Sequence, residues 1–114
     1  MAITTNAESA VNTTAEVKKH KTNHEMTISD IKETFKEDFI DEIHDSNKYC
    51  DMAKVAEESG KMELAKGLYA ISYDEYTHAK FIHDHLIDWG CEIPENEMVK
   101  WHELKERIHR KFRR

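Results

Sequence analysis

Glycine and proline are scarce in this chain, and their scarcity limits the folds open to it more than any other feature. The 114 residues contain three glycines and one proline, and 35% of all residues are charged. Runs of β-branched residues, which favour strands, are also scarce. The sequence therefore predicts an all-α fold whose helices are separated at Gly60, Gly90 and Pro94.

Apolar residues recur at helical spacing in three segments. Thr27 is a suitable N-cap for the first helix, with Asp30 three residues later near the positive end of the helix dipole. Gly60 ends this helix and a second begins almost at once, which predicts an antiparallel hairpin followed by a short C-terminal helix. The predicted helices span about 28–59, 61–89 and 95–112. Their apolar stripes consist of Ile28, Ile31, Phe35, Phe39, Tyr49, Ala53 and Ala56, of Leu64, Leu68, Ile71, Ile82, Leu86 and Trp89, and of Met98, Trp101, Leu104, Lys105, Ile108 and Phe112.

The chain is predicted to hold one helical domain, residues 27–114, after an N-terminal arm. Residues 1–26 are rich in Thr, Asn, Ala and Lys without a sustained apolar period, which predicts a disordered arm. No basic segment followed by an apolar stretch and no apolar run near 18 residues occurs, so we expect neither a secretory signal nor a membrane span. Cys50 and Cys91 form no CxxC motif, and reduced thiols in a cytoplasmic protein are expected.

Glu-x-x-His, a spacing found in metal-binding helices, occurs twice. With 15 glutamates and 8 histidines in the chain, chance alone supplies about one such pair. At about 100° per residue, Glu75 lies at the centre of the second apolar stripe and His78 about 60° to one side. Glu106, which precedes His109 by three residues, lies roughly 140° from Trp101 in its own helix. Only the first pair is therefore predicted to face inward.

A third inward ligand is predicted on the first helix. Glu42 lies at the centre of that helix's apolar stripe, 18 residues before Gly60, whereas Glu75 and His78 lie 15 and 18 residues after it. In an antiparallel hairpin the three side chains meet at one level, roughly 25 Å from the turn at about 1.5 Å per residue. Two converging buried carboxylates need a cation, shared protons or a strong donor, and a divalent metal fits this requirement.

Within one chain this donor set is incomplete. Two long helices supply two glutamates and one histidine, and half of the inward stripe has no helix to cover it. A two-fold dimer closes a four-helix bundle and doubles the set to four glutamates and two histidines. The sequence therefore predicts a homodimer or a higher homo-oligomer.

Two segments resemble the ferritin-like and rubrerythrin-type di-iron carboxylate proteins. EIHDSNKYCDMAKVAEESG, beginning at Glu42, is similar to their first helix, with a core tyrosine, Tyr49, seven residues after the glutamate. YDEYTHAKFIHDHLIDWG, which ends at Gly90, is similar to their Glu-x-x-His helix. The resemblance implies a ferritin-like four-helix bundle with a di-iron site, where Glu75 bridges two metals and Glu42 and His78 are terminal ligands. Manganese and zinc remain possible occupants.

The resemblance covers about half of the chain, from Asp38 to Pro94. The family's second helix pair and its CxxC iron centre are missing, so the chain looks like half-size members that assemble their site across a dimer. The implied function is iron oxidation, as in a ferroxidase, or reduction of oxygen or peroxide with an outside electron donor. Glu42, Glu75 and His78 are the predicted catalytic and metal-binding residues.

Other polar and aromatic residues near this set are assigned lesser roles. Asp45 and Asp74 are expected to be solvated helix acids rather than auxiliary ligands, and acidic faces around Asp38, Asp41 and Asp45 could attract Fe²⁺. Tyr49 and Tyr76 are the aromatic residues closest to the site, and Cys50 is expected to act as a small apolar side chain. The remaining histidines of the two long helices are predicted to lie on the surface, namely His44, His83 and His85.

The charge distribution suggests an alternative function. Residues 1–97 carry 21 acidic and 10 Lys/Arg side chains, whereas residues 98–114 carry seven Lys/Arg and two glutamates. Trp101 and Phe112 are interleaved with these cations, so the chain could be a metal-free interaction module that binds a protein or nucleic acid. Packing of the basic helix against the acidic body is the preferred interpretation, and no membrane partner is expected.

Overall fold

The computed structural model describes residues 25–112, in which three helices and no strands occur. The helices are α1 (Ile28–Glu58), α2 (Met62–Asp88) and α3 (Glu95–Phe112). The all-α prediction is confirmed, and each helix boundary agrees with its predicted position to within one residue. Among the residues described, no helix has the length and apolarity that a bilayer crossing requires. The predicted arm over 1–26 lies, except for its last two residues, outside the described part of the chain.

The chain divides after residue 31 into two units. The described part of the first unit holds the start of α1, where Thr27 and Asp30 cap the helix reciprocally. The backbone N–H of Asp30 donates to Thr27 Oγ1 at 3.2 Å, and the backbone N–H of Thr27 donates to Asp30 Oδ2 at 2.9 Å. Because each side chain satisfies a backbone donor of the other residue, the predicted cap is confirmed.

A glycine in the left-handed conformation ends each long helix. Gly60 has φ +78° and Gly90 has φ +74°. After α1, the N–H of Lys61 donates to the carbonyl of Ala56 at 2.8 Å, and the N–H of Gly60 donates to that of Glu57 at 3.0 Å. The same pair of bonds closes α2. These paired bonds satisfy the last carbonyls of each helix and reverse the chain direction within a few residues.

The second unit contains the antiparallel hairpin of α1 and α2. Positions at similar distances from Gly60 face one another along its length: Ser46 contacts Ser72, and Glu42 lies beside His78. Farther from the turn, the rings of Phe35 and Trp89 are 5.6 Å apart. The hairpin that the sequence predicted is therefore formed, with the predicted pairing.

Helix α3 packs against one side of this hairpin. The Trp101 ring lies 5.8 Å from Phe39 of α1 and stacks on Tyr76 of α2 at 5.6 Å. At the other end of α3, the rings of Phe112 and Tyr73 are 5.0 Å apart. Trp101, Leu104 and Ile108 of its predicted stripe are fully buried.

The core lies on the side of the hairpin that α3 covers, which corrects part of the predicted stripe. Leu64 and Ile71 were expected in the core but are exposed, because a projection of two helices alone cannot show where a third helix packs. The buried residues of the long helices are Phe39, Ile43, Ser46, Cys50, Ala53 and Ala56 on α1 and Ala65, Ser72, Tyr76, Ala79, Ile82 and Leu86 on α2.

We expect Trp101 to be the main anchor of α3. Trp101→Ala removes the largest fully buried side chain and should lower the free energy of unfolding by about 3–5 kcal/mol, measured by urea denaturation. Val99→Ala, an exposed position on the same helix, is the control and should cost less than about 0.5 kcal/mol. Equal losses for the two variants would show that α3 does not anchor through Trp101.

Candidate metal centre

Three metal-ligating side chains meet in the hairpin. Glu42 belongs to α1, and Glu75 and His78 lie one turn apart on α2. One donor atom of each side chain lies within 4.8 Å of the other two. The structure thus brings together the three residues that the sequence singled out, and in residues 25–112 no other group of three such side chains is as close.

The distances within this cluster leave room for an ion. His78 Nδ1 lies 3.4 Å from Glu75 Oε1 and 3.6 Å from Glu42 Oε1. Both distances exceed the roughly 2.7–3.2 Å of an ordinary hydrogen bond. Donor atoms bound to one metal at about 2.1 Å are themselves roughly 3.0–3.5 Å apart. The three side chains could therefore hold a divalent cation with only small rotamer adjustments.

In the absence of a cation, burial and a neighbouring carboxylate disfavour the charged form of Glu42. Its Oε1 atom is closed to solvent and has no hydrogen-bond partner among the described residues. Burial, followed by the neighbouring Glu75 carboxylate and then Asp45 and Asp38, raises the pKa of Glu42 from 4.5 to about 8. Near neutral pH the metal-free site therefore favours a protonated Glu42.

The cluster opens toward the side of the hairpin that α3 leaves uncovered. The side chains of Glu42 and Glu75 are each 24% exposed, whereas that of His78 is 60% exposed. His78 lies about 200° around α2 from Tyr76, the residue that stacks on Trp101 of α3. A cation bound by all three donors would therefore keep an accessible side, where further ligands could approach.

Two buried serines hold the long helices close together beside this cluster. Ser46 Oγ donates to the carbonyl of Ser72 at 2.8 Å, and Ser72 Oγ donates to the carbonyl of Ser46 at 2.7 Å. Ser46 lies one turn after Glu42, and Ser72 lies one turn before Glu75. These reciprocal bonds fix the separation of the backbones that carry the two carboxylates.

The sequence analysis did not identify this serine pair, although a signal for it exists. Ala65, Ser72 and Ala79 recur every seven residues on α2, and Ser46 and Ala53 do so on α1. All five are buried. A heptad repeat of small residues on both helices is typical of a close helix–helix contact. This repeat indicates the line of contact between α1 and α2 more clearly than the large apolar residues do.

Most of the neighbouring polar residues lie outside the cluster. Asp74 is exposed, and half-buried Asp45 lies 3.8 Å from Lys48 Nζ. His44 is exposed, as predicted, whereas His85 is half-buried. The prediction for His83 was wrong, because its side chain is only 18% exposed.

His83 is partly buried because α3 covers it. Its ring stacks on Trp101 at 5.2 Å, and its Nδ1 atom lies 2.9 Å from Asp84 Oδ1. The predicted apolar role of Cys50 is confirmed, since its side chain is buried, and Tyr76 is buried as well. Tyr49 is half-buried.

The second Glu-x-x-His pair lies on the surface, as predicted. Glu106 and His109 are both exposed, and Glu106 Oε1 lies 3.5 Å from Arg110 Nη1. The two pairs share a sequence spacing but differ in burial and partners. Glu106 and His109 therefore provide matched controls for substitutions at Glu75 and His78.

Several cations of α3 contact this chain's own acidic and amide groups. Arg107 donates to Asn47 Oδ1 at 2.8 Å and also pairs with Asp51. Lys111 Nζ lies 3.9 Å from Glu57 Oε2. These contacts agree with the preferred interpretation of the basic helix, which is packing against the acidic body.

No protein-family model, curated protein or solved structure matches this chain.

Because the charged form of Glu42 is disfavoured in the folded chain, Glu42→Gln is predicted to increase stability in a pH-dependent way. Because folding raises the pKa of Glu42, its contribution to stability is full below about pH 4.5 and is lost as the pH rises through about 8. With EDTA present, we expect the variant to be more stable than the native chain by about 2 kcal/mol at pH 8. This gain is smaller than the free energy that corresponds to the whole pKa shift of Glu42, because a quarter of its side chain remains in contact with water.

The measurement is the difference in unfolding free energy between variant and native chain at pH 4.5 and pH 8, at low protein concentration. Glu37→Gln, an exposed position on the same helix, is the control and should show no gain at either pH. A Glu42→Gln chain that is less stable than the native chain at pH 8 would show that the Glu42 carboxylate does not destabilise the metal-free fold.

Proposed function

We propose that the chain binds divalent iron through Glu42, Glu75 and His78, and that two copies form a four-helix bundle enclosing a di-iron site. At this site Fe²⁺ is oxidised by dioxygen or peroxide. The observation that carries the proposal is the convergence of two carboxylates and an imidazole around a carboxylate oxygen that is buried without a partner. Glutamates together with Glu-x-x-His pairs form the ligand set of di-iron helical bundles.

The chemistry of the donors supports iron as the ion. Two carboxylates and one imidazole suit a hard or borderline divalent metal, and manganese and zinc accept the same donors. Glu42 has its highest affinity for a cation after losing its proton, so binding would replace that proton by the metal. The carboxylates of Asp38 and Asp45, which act on Glu42 electrostatically, would also attract an incoming cation.

The redox step needs two ferrous ions. Together they supply two electrons, which with two protons reduce dioxygen to hydrogen peroxide or hydrogen peroxide to two waters. In this proposal Glu75 would be shared by the two ions, and Glu42 and His78 would hold them as terminal ligands. The serine pair keeps the two helices at a fixed separation during this reaction.

A second copy is needed because one chain supplies three donors from two helices. Four apolar side chains remain exposed on the uncovered side of the hairpin, which we term the open face: Met52 (45% exposed), Leu64 (57%), Ile71 (40%) and Phe81 (57%). Burying these half-exposed side chains on two copies is worth about 8 kcal/mol. Association costs roughly 4–15 kcal/mol, so the free energy gained from apolar contacts is close to the free energy that dimerisation costs.

Iron loading tests the proposal. Metal-free chain is mixed with Fe²⁺ without oxygen, separated from unbound iron, and then exposed to air. We expect one iron per chain, followed by the near-ultraviolet absorbance of ferric iron bound to carboxylates. A chain that retains no stoichiometric iron and develops no such absorbance would refute the function.

Substitutions at the two Glu-x-x-His pairs test the ligand assignment. Glu75→Ala and His78→Ala should each lower iron affinity by at least tenfold, and Glu75→Ala should abolish stoichiometric binding. Glu106→Ala and His109→Ala keep the same spacing on a solvated surface and should leave iron content unchanged. Unchanged iron content in Glu75→Ala would show that the ligands lie elsewhere.

A further inference from the structure

We propose that a cavity between α1 and α3 binds a phosphate group, either as free phosphate or as part of a small phosphorylated molecule. The site is independent of the metal centre and of the proposed iron chemistry. Most of its cations lie on α3, a helix outside the segment that resembles the di-iron proteins. The shape of the cavity, its lining cations and the acidic groups around them support this ligand.

The cavity has the size of a small-molecule site. It has a volume of about 550 Å³ and lies between α1 and α3, next to Tyr69 of α2. Sites for small molecules in proteins measure roughly 300–1,000 Å³. The metal cluster opens on the side of the hairpin that α3 leaves uncovered, and none of its three residues lines this cavity. The two sites therefore do not overlap.

The lining of the cavity is positively charged although the chain as a whole is acidic. Four cations line it, Lys54, Arg107, Arg110 and Lys111, together with one carboxylate, that of Glu103. Four positive charges against one negative charge leave +3, whereas the whole chain carries −6. A phosphate group carries roughly −1.5 to −2 near pH 7 and neutralises about half of this excess or more, whereas a single carboxylate neutralises a third.

Two of the cations are held at the cavity by other side chains. Arg107 donates through Nη1 to Asn47 Oδ1 at 2.8 Å and pairs through Nη2 with Asp51. A guanidinium has five N–H donors in a planar fork, so these two contacts leave further donors for a phosphate group. Lys111 Nζ lies 4.0 Å from the centre of the Tyr69 ring, a cation–π contact that keeps its charge beside the cavity.

The other two cations can turn toward a ligand at little cost. Within residues 25–112 the ammonium group of Lys54 has no hydrogen-bond or ion-pair partner. Arg110 Nη1 lies 3.5 Å from Glu106 Oε1, which is longer than an ordinary hydrogen bond, and both side chains are exposed. Exposed ion pairs of this kind contribute little to stability. Lys54 and Arg110 are therefore available to bind an anion.

A small molecule fits this site better than a nucleic acid does. The carboxylates that pair with the lining cations are those of Asp51, Glu57 and Glu106, whose side chains are 68%, 41% and 74% exposed. A nucleic acid that followed the basic helix would meet these exposed carboxylates as well as the cations, and like charges repel it. A single phosphate group inside the cavity contacts mainly cations.

Isothermal titration calorimetry of the full chain at pH 7.5 and low ionic strength, with EDTA present, tests this site. We expect inorganic phosphate and ribose 5-phosphate to bind at one per chain, and ribose and acetate to give no saturable binding. Tighter binding of ribose 5-phosphate identifies a phosphorylated molecule as the ligand, and binding of inorganic phosphate at least as tight identifies the free anion. A chain that binds neither phosphate compound, or that binds only a short DNA duplex, would overturn the proposal.

Lysine substitutions on α1 locate the bound phosphate. Lys54→Gln should weaken phosphate binding by about tenfold or more and leave the free energy of unfolding unchanged, because this side chain is exposed and has no partner among the described residues. Lys36→Gln changes the same charge on the same helix, at an exposed position that does not line the cavity, and should bind phosphate as the native chain does. Equal phosphate affinities in the two variants would show that phosphate does not bind in this cavity.

Discussion

The contact between Glu42 and Glu75 across the hairpin is the constraint on which the rest of the structure depends. The Glu75 carboxylate lies close enough to raise the pKa of Glu42 on the neighbouring helix, and one oxygen of Glu42 has no donor within the described residues. The serine pair one turn away prevents the helices from separating to relieve this conflict. Close helix packing and a buried pair of acids are thus imposed on the same short segment.

Such a conflict costs stability and therefore indicates a function for the residues that cause it. A glutamine at position 42 could occupy nearly the same space without the repulsion, and the small residues at the contact between the two long helices are buried. Sites at which a single neutral substitution would stabilise the fold are often those that bind a ligand or perform chemistry. The exposure of His78 and of the open face places this conflict where a second copy could resolve it.

Much of this arrangement could be predicted from the sequence because local signals are strong. Gly60 fixes where the chain reverses, and counting residues on both sides of it is sufficient to bring Glu42, Glu75 and His78 to one level. The capping pair of Thr27 and Asp30 is equally local. Each of these features depends on backbone geometry that neighbouring residues determine.

The packing of α3 could not be predicted in this way, because it depends on which side of the hairpin the third helix covers. The observed packing of α3 places His83 beneath Trp101 and leaves Leu64 and Ile71 exposed. All three environments are opposite to those that the sequence predicted. The stripe of α2 is broad enough to serve two faces, one for α3 and one that α3 does not use. The helical projection of one chain does not separate these two faces and assigns both to one core.

The most direct test of the central claim is anomalous diffraction at the iron absorption edge, from crystals of the chain grown with Fe²⁺ without oxygen. The account predicts two iron peaks per pair of chains, each within bonding distance of glutamate oxygens, with Glu42, Glu75 and His78 of both copies as the protein ligands. Iron peaks bound elsewhere on the chain, with no peak between Glu42 and Glu75, would contradict it.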